Sequence, residues 1–233
     1  MTLRPILFST PMVQAILAGR KTITRRTRDL EILNDVADQP GKKDEDDPGR
    51  WFICEFINGI QYIEDLDSLE SIKIKCPYGQ PGDVLWVRET YAEPHLHDGF
   101  EDDYYYRADC SDFARKKYVS KWKPSIHMPR SASRLFLRIT SVRVERLHEI
   151  NVQDAKREGI LSWTEGTEVR YKNYMVNTEG YGHPEHDCPS LPFAIDSFLS
   201  LWESINGEES RNANPWVWVI EFKRISSEEF RNL

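Results

Sequence analysis

Residues 17–26, LAGRKTITRR, put Lys21 among the cations Arg20, Arg25 and Arg26, with Arg28 two positions on and no intervening acid. Thr22, Thr24 and Thr27 sit between those cations. Two chemistries suit such a stretch. The guanidinium groups would hold phosphates, or a lysine would take the proton of a threonine hydroxyl, a group inert near neutral pH without such help. The second requires a lowered lysine pKa, and both neighbouring cations and partial burial act in that direction.

The elements that must position this stretch are readable on either side. RPILF (4–8) predicts a short strand. STPMVQAILAG then offers Ser9 or Thr10 as N-cap, Pro11 in the first turn and Gly19 as the stop. Met12, Val13, Ile16 and Leu17 fall on one helical face, so Lys21 leaves just beyond a packed helix. Further strands are expected at 51–57, 83–89 and 103–108. In SRLFLRITSVRVERL the apolar parity switches after Ile139 to Val142 and Val144, which predicts a bulge near Thr140 and Ser141. INVQDAKREGI predicts a short helix capped by Asn151 and stopped by Gly159, with Glu158 at its last position. LPFAIDSFLSLWESINGE predicts a helix, and NPWVWVIEFKRI a central strand, apolar on both faces. The run 38–50 reads as a solvated acidic loop and 162–190 as a long insertion or lid.

A chain of 233 residues, 39% hydrophobic and 30% charged, suits one domain, here a small one with long insertions. Its net charge of −7 argues against coating nucleic acid through bulk charge but leaves room for a local basic pocket. Four cysteines without a C-x-x-C pair, no signal pattern and no long apolar run lead us to expect a cytoplasmic protein with reduced thiols and no membrane span. Walker A, G-x-S-x-G and dinucleotide glycine patterns are missing from the sequence, so the usual readings attached to them fall away.

The order ILAGRKTITRR, GDVLWV, LRITSVRVERL, DAKREGI and WVIEFKRI resembles the ASCH family. The longer layout, with CPYGQPGDVLWVRET and NPWVWVIEF, is similar to ASCH-type proteins carried by bacteriophages and prophages. The resemblance covers about half the chain and implies an α+β, PUA-like β-barrel with flanking helices over residues 1–233, with insertions near 27–75, 91–133 and 161–190. One branch of that family deacetylates N4-acetylcytidine with a lysine, a threonine and a glutamate. By resemblance those roles fall on Lys21, Thr24 and Glu158, with no cofactor.

The physics of that triad can be followed independently. Glu158 at a helix C-terminus faces the negative end of the dipole, which favours pairing with Lys21 or a raised pKa suited to proton donation. Lys21 and Thr24 have opposite parity on a regular strand, so residues 20–24 are expected to be looped or bulged. A structural ion pair of Lys21 with Glu158, with Thr24 in a hydrogen-bonding slot, accounts for the same residues. Arg20, Arg25, Arg26 and Arg28 are candidate phosphate contacts, and Trp122 and Lys123 candidate contacts to single-stranded RNA. His95, His97, His183, His186 and Cys188 match no standard zinc spacing, so no metal is expected. Three functions remain open: an amidohydrolase acting on a modified cytidine nucleoside or nucleotide, a non-catalytic reader of RNA or modified bases, and a metal-independent ribonuclease.

Overall fold

The structure, a computed structural model, describes residues 1–30, 53–57, 60–64, 71–93, 104–109, 119, 121–176 and 190–232. The acidic run 38–50, His95, His97, His183, His186, Cys110 and Cys188 lie outside them.

Five strands make the main sheet: β1 (Leu3–Leu7), β2 (Ile23–Arg26), β6 (Val84–Arg88), β9 (Phe136–Arg146) and β13 (Trp216–Ile225). Their order is β1-β6-β9-β13-β2, parallel between β1 and β6 and antiparallel elsewhere. The fold is therefore α+β. The barrel expectation meets an open order, with β1 and β2 at the two edges and no ladder between them among the described residues.

β13 lies inside the sheet because both of its faces are covered. Trp218, Ile220 and Phe222 join Ile6, Leu85, Leu137 and residues of helix α1 (Thr10–Leu17) in one core. Val217 and Val219 join a second core with helices α2 (Val152–Arg157) and α3 (Ala194–Asn206). The parity switch in β9 is a bulge: Glu221 pairs with Ser141 and Phe222 with Ile139, leaving exposed Thr140 as the extra residue. Ile139 and Val142 thereby reach the same core.

The three expected insertions carry small sheets of their own. β3 (Ile53–Ile57), β4 (Ile60–Glu64) and β5 (Ser71–Lys75) form a meander, and β7 (Tyr91–Ala92) pairs with β8 (Tyr105–Tyr106). β10 (Ser162–Glu165), β11 (Glu168–Lys172) and β12 (Ser190–Leu191) form the third. The β10–β11 hairpin escapes a periodicity reading because its strands are mostly exposed and polar, with only Tyr171 buried in the second core. Its two-residue connection starts at Gly166, whose φ of 62° is the conformation such a turn requires.

Candidate active site

Helix α1 starts at Ser9 and Thr10 with Pro11 in its first turn, buries Val13, Ala15 and Ile16, and ends before Gly19 at φ 72°. The chain then turns back on the helix, with the amides of Arg20 and Lys21 both donating to the Ala15 carbonyl at 2.9 and 3.0 Å. Lys21 is thus fixed outside the strand, forming an isolated bridge with Glu158, and regular pairing to β13 begins only at Ile23. The parity conflict between Lys21 and Thr24 does not arise.

Helix α2 supplies the other half. Asn151 caps it by accepting from the Asp154 amide at 2.9 Å, and Glu158 is its C-cap. Gly159 then adopts φ 90°. A Cβ there would lie 2.8 Å from both the Ala15 and Lys21 Cβ atoms, so the bare glycine lets the exit of α2 close onto the exit of α1. Gly159→Ala forces that contact apart and strains the backbone. We expect it to cost about 2–4 kcal/mol in urea unfolding, whereas Gly19→Ala, with open space at its Cβ, carries only the positive-φ cost of about 1 kcal/mol.

Lys21 Nζ lies 2.6 Å from Glu158 Oε2 and also donates to the Glu158 carbonyl at 2.9 Å. Both residues are buried, at 2% and 5% exposure. The other carboxylate oxygen, Oε1, accepts from Arg25 Nη1 at 3.1 Å. The expected pairing of Glu158 with Lys21 is present, and a second basic side chain, Arg25, reaches the same carboxylate. Burial pushes the Lys21 pKa below its ordinary value; Glu158 opposes this, and Arg26 and Arg25 reinforce it.

Arg25 anchors a larger network that the sequence did not reveal. It binds Glu145 and approaches Asp154 Oδ2 at 3.4 Å. Arg143 meets Asp154, Glu221 and Glu145 at 2.5, 2.6 and 3.1 Å. Arg157 meets Glu221 and Asp154 at 2.6 and 3.1 Å. Lys21, Arg25, Arg143 and Arg157 thus face Glu145, Asp154, Glu158 and Glu221, with Lys21, Arg25, Asp154 and Glu158 buried and Arg143, Arg157 and Glu221 partly exposed at the rim. The legible signal was VRVER in β9, where Arg143 and Glu145 take the strand face opposite Val142, which packs in the first core.

A cleft of about 190 Å³ opens beside this cluster, its wall carrying Thr24, Arg25, Arg26, Arg28, Tyr78, Glu158 and Trp202. Thr24 is buried, and its hydroxyl has no hydrogen-bond partner among the described residues. Lys21 sits behind Glu158 rather than on the wall. Burial holds the Tyr78 phenol above its ordinary pKa against the pull of Arg26 and Arg28, so it stays a neutral donor.

The structure sets the expected phosphate contacts apart from one another. Arg25 is buried and fully engaged, whereas the Arg28 side chain is 70% exposed at the cleft, its Nε 3.7 Å from the exposed Asp29 carboxylate. Arg26 is half-buried, stacks 5.2 Å from the Phe8 ring centroid and donates to the Leu7 carbonyl at 2.7 Å. Arg20 turns away, donating to the Gly159 carbonyl at 2.9 Å on a shallow surface beside Lys156 and Arg157. Trp122 and Lys123 are not part of the cleft: Arg107 stacks on Trp122 at 5.5 Å, and Lys123 pairs with Glu93 at 2.5 Å. Among the described residues no group of three or more His, Cys, Asp or Glu is placed to hold a metal ion, and no helix is long and apolar enough to cross a membrane. Comparison with protein-family models, curated proteins and solved structures finds no match for this chain.

Proposed function

We propose that this protein is a cytoplasmic amidohydrolase of the ASCH, PUA-like type that removes the acyl group from an N4-acetylated cytidine nucleoside or nucleotide. The observation that carries this reading is the buried pair of Lys21 and Glu158 behind a cleft whose wall also presents the unpartnered Thr24 hydroxyl. Thr24 Oγ attacks the acetyl carbonyl carbon, and Lys21, in its neutral form, takes the hydroxyl proton once bound substrate has drawn the two groups together, a hydrogen bond not made in this structure. The bond to the exocyclic nitrogen then breaks, and that nitrogen takes a proton delivered through the 2.6 Å Lys21–Glu158 hydrogen bond. Water hydrolyses the acyl-threonine. Tyr78, Phe198 and Trp202 supply aromatic surface for the base.

The direct test is incubation with N4-acetylcytidine followed by chromatography for free cytidine and acetate. Tight binding of the nucleoside with no release of cytidine would replace the enzyme with a reader of modified bases, which the same aromatic cleft suits.

The pH dependence follows from Lys21. Its pKa in the folded protein is lowered from 10.5, so the reactive amine gains population as pH rises. The expected result is a kcat/KM that climbs on the alkaline side with a midpoint below 10.5. The Lys21 contribution to stability moves in the same sense, because between its lowered pKa and 10.5 this side chain binds more protons in the unfolded chain than in the folded one. Burial raises the Cys76 and Tyr78 pKa values, which pulls the other way, so the Lys21 contribution is read as the difference in urea stability between the parent and Lys21→Met, which should move in the parent's favour as pH rises through that window.

A further inference from the structure

A second pocket, of about 530 Å³, adjoins the cleft and shares Met12, Arg26 and Ile205 with it. Its remaining wall includes Ser9, Thr10, Thr90 and Ser125. The side-chain hydroxyls of these four residues have no hydrogen-bond partner among the described residues. Arg26 Nε is likewise buried without a partner, although Nη2 is held by the Leu7 carbonyl. No carboxylate lines the pocket among the described residues. A guanidinium and four hydroxyls, with no acid among the described lining residues, make a donor set for a tetrahedral oxyanion. The first turn of α1 adds the positive end of a helix, its Ser9 making no side-chain cap bond.

We infer that this pocket is a phosphate subsite, and that the substrate occupying the neighbouring cleft carries a phosphate ester beside its base. The inference rests on the reading of the cleft as a cytidine site, and Arg26, common to both pockets, links the two. Two neighbouring cations of β2 thereby take different roles, Arg25 holding Glu158 and Arg26 holding the phosphate.

Calorimetry with cytidine, cytidine 5′-monophosphate and a cytidine trinucleotide RNA tests it without requiring turnover. The monophosphate should bind at least tenfold more tightly than cytidine, and inorganic phosphate should compete with it but not with cytidine. Arg26→Gln should bring the two affinities together. A Thr90→Val, Ser125→Ala double variant should narrow the same ratio, which covers a failure of Arg26→Gln to fold. Tighter binding of the trinucleotide than of the monophosphate assigns the ester to an RNA chain, and the reverse assigns it to a free nucleotide. Equal affinity for cytidine and its monophosphate, or no measurable binding of the monophosphate, overturns the subsite. Preference for the monophosphate in a protein that leaves N4-acetylcytidine and its monophosphate intact keeps the subsite and discards the amidohydrolase.

Discussion

Thr24→Val should abolish release of cytidine from N4-acetylcytidine while leaving the protein folded. Valine keeps the shape of threonine and removes only the hydroxyl. In many buried sites that exchange is costly because a hydrogen bond is lost, but the Thr24 hydroxyl has no partner among the described residues. The expected change in stability is therefore under about 1 kcal/mol. Turnover should fall by roughly 10³-fold or more, since the proposed covalent step runs through that hydroxyl. A valine variant that retains turnover within a few-fold of the parent would remove Thr24 as the nucleophile. Loss of turnover together with loss of cooperative unfolding would place Thr24 in the structure rather than in the chemistry.

Arg25→Met should be the most destabilising single change in the charged cluster. The Arg25 side chain is fully buried and touches Glu145, Asp154 and Glu158. Methionine fills much of the volume but leaves the buried carboxylates of Asp154 and Glu158 without that cation. Removing one partner from such a group costs about 3–5 kcal/mol, which moves a urea midpoint down by roughly 1–2 M. Arg28→Met, three positions along and 70% exposed, should shift stability by no more than about 0.5 kcal/mol. Near-equal effects of the two would mean that the cluster is far more hydrated than its burial implies.

The contrast between Arg25 and Arg28 also marks how far the sequence could be read. Local signals were sufficient wherever one segment decides its own form. Pro11 and Gly19 bound α1, Asn151 and Gly159 bound α2, and the shift from Ile139 to Val142 located the bulge in β9. The approach of Lys21 to Glu158 was also expected, and it stands at 2.6 Å. What a basic run cannot reveal is which of its members faces inward. Arg25 is buried because β2 pairs Arg25 with Val219, on the side where Phe198 packs, and its guanidinium lies 5.5 Å from that ring. That partner belongs to a strand near the other end of the chain. The same limit hid Tyr78 and Trp202, whose aromatic character is as ordinary for core as for a binding wall.

The pairing of β2 with β13 has a consequence for biosynthesis. Within the main sheet β2 has one neighbour, and that neighbour spans Trp216–Ile225. Thr24 and Arg25 emerge from the ribosome well before Val219 and Ile220, the residues that hold them in register. The Lys21–Glu158 contact closes a separation of 137 residues. Assembly of the cleft therefore waits for β13 and is governed by slow long-range closure rather than by local folding. Nascent chains arrested before Trp216 carry every proposed catalytic residue but lack the strand that pairs with β2, so the proposed activity should wait for that strand.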